Sequence, residues 1–146
     1  MHSIVLNAHR GFAYLIIVLV VLFVVGLVSV LLGNSGKINK LLRKSSMFTM
    51  IFFHIQFLVG AIMLIWTSPF LEIIKTQGMG TLMKNADLRF TYIEHPFSML
   101  LAAILMTIAN KKIKTAERMS VGILVLAVIA LLLFGYAFPF DKLFNK

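Results

Sequence analysis

The stretch "GFAYLIIVLVVLFVVGLVSVLL", residues 11–32, carries no charged side chain over twenty-two positions. At a rise of ~1.5 Å per residue it is long enough to cross the ~30 Å hydrocarbon layer of a bilayer as a helix. It is too long for a signal-peptide core and has neither a basic leader nor a small-residue cleavage site, so it is expected to stay in the mature chain. Reading outward, three further apolar runs follow: Met47–Leu71, Phe90–Ala109 and Met119–Phe138. With 60% hydrophobic residues in 146, a soluble domain would expose too much apolar surface to stay dispersed. The expected fold is an all-α integral membrane four-helix bundle, a single domain with helices near 5–32, 47–71, 90–109 and 119–138.

Charge placement gives the orientation. The chain carries a net charge of +9. Its basic residues cluster in short segments between apolar runs, without the aromatic platform or basic stripe of a nucleic-acid surface. Lys37, Lys40, Arg43 and Lys44 follow the first run, and Lys111, Lys112, Lys114 and Arg118 follow the third. The positive-inside rule makes these two loops cytoplasmic. The connection from Glu72 to about Arg89 has balanced charges and suits the outer side, which puts the N- and C-termini outside as well. The absence of cysteine excludes disulfides, thiolate metal sites and iron–sulfur clusters.

Imidazoles carry the chemistry. No nucleophile–base pair, glycine-rich phosphate loop or H-E-x-x-H zinc motif occurs, so hydrolytic and phosphoryl-transfer activities have no support. An ionisable residue within a membrane span is a functional candidate by default. On the third run Thr91, His95, Ser98, Ala102 and Met106 share a small, slightly polar stripe at helical spacing, which aims His95 into the bundle. On the second run Thr49, Gln56, Gly60 and Thr67 form one stripe, while His54 sits about 160° around the helix from Gln56. Polar groups on opposite faces predict burial on both.

Imidazole is an axial ligand of haem iron, and two ligands must meet one iron at nearly the same depth. Counted from the expected cytoplasmic ends, His54 stands roughly 12 Å up, His95 roughly 22 Å and His9 roughly 34 Å. His95 with His54 and His95 with His9 are both open, and His54 with His9 is the least favourable pair. Met99 and Met106 stand behind the histidines as further ligands. Arg10 and Arg89, at the outer surface, can neutralise haem propionates or lipid headgroups. A copper or zinc site is a further alternative, with no other strong ligand nearby.

These residues resemble a family of small four-helix membrane proteins of Bacteroidota labelled cytochrome b or cytochrome b-like. The family pattern H-x-G-x-x-Y is matched by His9, Gly11 and Tyr14; H-x-Q-x-x-x-G followed by S-P by His54, Gln56, Gly60, Ser68 and Pro69; and an arginine, then E-H and a methionine, by Arg89, Glu94, His95 and Met99. Ala13 departs from the pattern, since relatives have an arginine there. The resemblance spans nearly the whole chain. It implies a multi-pass protein of the bacterial inner (cytoplasmic) membrane that holds haem b and carries electrons between the quinone pool and a redox partner. Such a chain acts as a carrier or subunit rather than a stand-alone enzyme, surrounded by lipids, in a larger membrane complex or as a homo-oligomer. The alternative is a cofactor-free accessory or assembly subunit of a respiratory-type complex, whose histidines bridge helices by hydrogen bonds.

Overall fold

The computed structural model describes residues 2–33 and 35–140, and among these every regular element is helical. Helix α1 spans His2–Leu32, α2 Lys40–Ile62, α3 Phe70–Lys84, α4 Ala86–Arg89, α5 His95–Thr115 and α6 Val121–Ala137. A π-helical turn, Met63–Thr67, extends α2, and a second, Phe90–Glu94, joins α4 to α5. The chain thus forms three helices long and apolar enough to span a membrane, Ser3–Leu32, Lys40–Thr67 and Ala86–Thr115. The shorter apolar helix α6 and the fifteen-residue α3 bring the helices to five among the described residues, where the sequence predicts four. Helix α3, which kinks at Gly78 (φ 81°), lies mostly in the connection between the second and third apolar runs.

The expected helix boundaries are corrected mainly at one end of the bundle. Helix α2 begins at Lys40, seven residues earlier than the apolar run implies, because Asn39 caps it: Leu42 N–H donates to Asn39 Oδ1 at 2.8 Å. Helix α5 continues past Ala109 to Thr115, with Lys112 and Lys114 in its last turn, where cations complement the helix dipole. Hydropathy marks where a helix leaves hydrocarbon, and these helices run on beyond it.

The two basic loops meet. Ile38 N–H donates to Glu117 O at 2.9 Å, and Met119 N–H donates to Gly36 O at 2.9 Å. Arg43 reaches across from α2 and donates to the carbonyls of Ile113 (2.9 Å), Lys114 and Ala116 (2.7 Å), capping the unsatisfied end of α5. We call this the basic end. From it, α1 packs on α2, α2 on α5 and α5 on α6. One core joins all four, with Phe23, Phe53, Met106 and Ala130 among its fully buried members. Close approach of α1 to α2 needs Gly26, whose missing side chain would lie 3.0 Å from the Leu42 Cα. Val18, Val21, Val25 and Val28 face outward along α1, the apolar surface that a membrane helix presents to lipid.

Removing the Arg43 guanidinium strands carbonyls at the end of α5. Arg43→Met is expected to lower stability by ~1–3 kcal/mol, while the exposed neighbour Lys44→Met stays within ~0.5 kcal/mol. Thermal unfolding of the two variants in the same detergent checks this.

Candidate functional site

At the opposite end, the bundle forms a largely apolar, partly open cavity of about 280 Å³. It is walled by α1 (His9, Arg10, Ala13), α2 (Gln56, Gly60), both π-helical turns (Leu64, Phe90), α5 (His95, Met99) and α6 (Phe134). π-Helical turns widen a helix locally and are frequent at functional sites. Here hydroxyls fold back onto the backbone of the last turn, where Met63 O also accepts from Ser68 N–H at 2.9 Å. Ser68 Oγ donates to Leu64 O at 2.6 Å and Thr67 Oγ1 to Met63 O at 3.1 Å, both onto the α2 extension.

His9 and His95 face one another across this end of the bundle. Their ring centroids are 6.2 Å apart and the rings are inclined by 71°. The depths deduced from apolar runs separated these two residues by some 12 Å, and the corrected helix ends remove most of that gap. His95 lies twenty residues above Thr115, the true end of α5, so it stands ~30 Å up rather than ~22 Å. His9, twenty-three residues above Leu32, remains at ~34 Å. Gly60, twenty residues above Lys40, is level with them, at ~30 Å. A side chain at Gly60 would come within 3.2 Å of the His9 Cε1, so the glycine makes room for the imidazole.

His95 is oriented by the backbone. Its Nδ1 donates to Ala137 O at 2.7 Å; a carbonyl only accepts, so the lone pair of the neutral ring falls on Nε2. Ala137 is the last residue of α6, where carbonyls have no intrahelical donor, and Pro139 just beyond it has no N–H to offer. Helix α6 carries no charged side chain, yet it supplies this anchor. The signal was present in "YAFPF", residues 136–140, a helix end followed by proline. Glu94, the chain neighbour of His95, is engaged elsewhere. It accepts from Arg89 Nε at 2.7 Å and from the Tyr136 hydroxyl at 2.7 Å, which ties the start of α5 to α6.

The remaining candidates separate. The Gln56 face of α2 is buried, as the polar stripe predicts, but the opposite face is not. His54 is exposed and lies off the cavity, with Nδ1 bonded to Met50 O at 2.8 Å and Nε2 3.4 Å from Thr107 Oγ1 on α5. Polar groups on opposite faces cannot both turn inward when the helix contacts the bundle mainly along one side. Arg10 lines the cavity, whereas Arg89 donates to Glu94 and to Met83 O at 2.9 Å and is not part of the wall. Met99 is buried on the cavity, and Met106 is buried in the core below it.

Gln56 was singled out for its stripe and has a further position the sequence does not reveal. Its Nε2 donates to the backbone carbonyl of His9 at 2.9 Å. Among the described residues, the buried side-chain polar atoms left without a partner are Gln56 Oε1 and His9 Nδ1. Each such atom costs ~1–3 kcal/mol unless something completes it, so both mark the cavity as a place built for more than packing.

No cluster of three or more histidine, cysteine, aspartate or glutamate side chains occurs among the described residues, so the site offers two imidazoles rather than a tetrahedral cage. With metal–imidazole bonds of ~2.0–2.1 Å, one metal ion between two ring nitrogens places the ring centroids roughly 6.3 Å apart. The 6.2 Å between the His9 and His95 centroids is of that order, and at 71° the rings also make an edge-to-face contact. Comparison with protein-family models, curated proteins and solved structures finds no match to the chain.

Gly60 is the position most sensitive to volume. Gly60→Val is expected to drive the His9 ring aside and to cost ~1–3 kcal/mol through overpacking, whereas Gly122→Ala, in open space, is neutral. Thermal unfolding of both variants, with the wild type alongside, measures the difference.

Proposed function

We propose that the chain is a b-type haem-binding membrane protein that transfers electrons between the quinone pool and a redox partner, with His9 and His95 as the residues that would hold the haem. The observation that carries this reading is the pair of imidazoles 6.2 Å apart on an apolar cavity, one of them oriented through Nδ1 by a backbone carbonyl. Ligating histidines commonly donate their other ring N–H in this way, which fixes the tautomer and raises ligand basicity. The resemblance to cytochrome b-like membrane proteins supports the same reading.

Bound there, haem b would supply reversible one-electron chemistry, with a potential set by its histidine ligands, burial and neighbouring hydrogen bonds. The chain's own residues hold and shield it. His95 and His9 present imidazole nitrogens from α5 and α1, and Ala13 and Gly60 keep the wall low beside His9. Phe90 and Phe134 would exclude water, and Arg10, on the wall, would pair with a propionate carboxylate. The three long helices together with α6 make four crossings of a bacterial inner membrane, with the basic end cytoplasmic and the cavity near the outer face. Residues 141–146, which carry the C-terminus assigned to the outside, lie outside the described residues.

A cofactor-free accessory subunit of a larger membrane complex is the competing reading. It is favoured by the inter-helix contacts of His54 with Thr107 and of His95 with Ala137, which hold helices together without any ligand.

Protein purified from haem-replete cells decides between the two. The expected result is a red preparation with one iron per chain and a sharp α-band on dithionite reduction. His9→Ala and His95→Ala each lose the low-spin spectrum, and His54→Ala keeps it. A colourless, iron-free wild type removes the electron-transfer reading and leaves the accessory role. Retention of the low-spin spectrum in His9→Ala with its loss in His54→Ala would instead reassign the second ligand.

A further inference from the structure

Gln56 and His9 are joined on one side and open on the other. The Gln56 amide is clamped by its Nε2 donating to His9 O at 2.9 Å, which fixes which end of the amide is the carbonyl. That leaves Oε1, an acceptor, on a side chain only 6% exposed, and the Nδ1 of the same histidine is likewise buried. One atom can donate and the other only accepts, both belong to residues on the cavity wall, and neither has another partner among the described residues. Buried polar atoms in native proteins are completed, and a single enclosed water needs two or more polar partners to remain.

We propose that Gln56 is the positioning residue for His9, accepting the Nδ1–H of its ring through one enclosed water molecule. This holds the neutral imidazole as the Nδ1–H tautomer, with the lone pair on Nε2. His95 reaches the same tautomer by donating directly to Ala137 O. The two imidazoles are thereby matched: each has Nδ1 committed to an oxygen and Nε2 basic. One orienting oxygen comes from the end of α6 and the other from the middle of α2. The purpose of this arrangement rests on the haem reading, since a basic Nε2 on both rings is what two axial ligands require. The hydrogen bond itself does not.

The test uses the full chain in nanodiscs, free of haem, with isotope-labelled histidine ring nitrogens read by NMR and His9 assigned by the loss of its signals in His9→Asn. The expected result is a His9 ring mainly in the Nδ1–H form in the wild type. In Gln56→Leu the ratio of Nδ1–H to Nε2–H tautomer falls at least severalfold, and in Gln56→Glu the Nδ1–H form is retained with a stronger hydrogen-bond shift. An unchanged tautomer ratio in a folded Gln56→Leu overturns the proposal. If Gln56→Leu does not fold, an Nδ1 shift in Gln56→Glu equal to that of the wild type overturns it. Chain that binds haem adds a second readout. There Gln56→Glu, a stronger acceptor, is expected to lower the midpoint potential, and an unchanged potential counts against the role. A colourless protein whose His9 tautomer depends on Gln56 sinks the haem reading alone, and a red protein with a Gln56-independent tautomer sinks this inference alone.

Discussion

A backbone carbonyl in the last turn of a helix has no intrahelical donor, and the cavity end of this bundle is organised by that constraint. Where α2 opens into a π-helical turn, Thr67 and Ser68 fold their hydroxyls back onto Met63 O and Leu64 O. Where α6 stops, the carbonyl of Ala137 is completed by His95. The same need appears at the basic end, where Arg43 gathers the last carbonyls of α5. Polar side chains in this protein are therefore placed first by the ends and irregularities of helices. The imidazole pair is a consequence of one such placement.

That origin links architecture to chemistry. A histidine that satisfies a helix end through Nδ1 becomes a basic nitrogen donor at Nε2. Gly60 admits a second imidazole at the same height, and the wall around both is apolar. Glu94 would add a charge to this environment if it turned toward His95. Arg89 and Tyr136 hold both of its oxygens instead, so the carboxylate also fastens the connection between α3 and α5 to α6.

Much of this was legible in residues alone. The small stripe through His95, Ser98, Ala102 and Met106 does face the bundle, because helical periodicity relates neighbours on one helix without reference to any other. Gln56 turns inward on the same grounds. Relative height between helices was less accessible. It depends on where each helix ends, and Asn39, Lys112 and Lys114 let α2 and α5 continue through residues that hydropathy assigns to loops. Helix α3 is not legible in the sequence because Gly78 and Gly80 punctuate it.

The sequence by itself determined a helical membrane chain, its long apolar spans, the pairing of basic segments at one end and the inward direction of His95 and Gln56. These follow from local periodicity and from the cost of charge in hydrocarbon, which each segment meets alone. Only the tertiary structure decided that His9 rather than His54 stands beside His95, that Ala137 orients the ring and that Gly60 makes the space. Each of those facts is a distance between atoms on different helices. Such distances are set by helix length, packing and the exact place where one helix stops beside another, and no single segment carries that information.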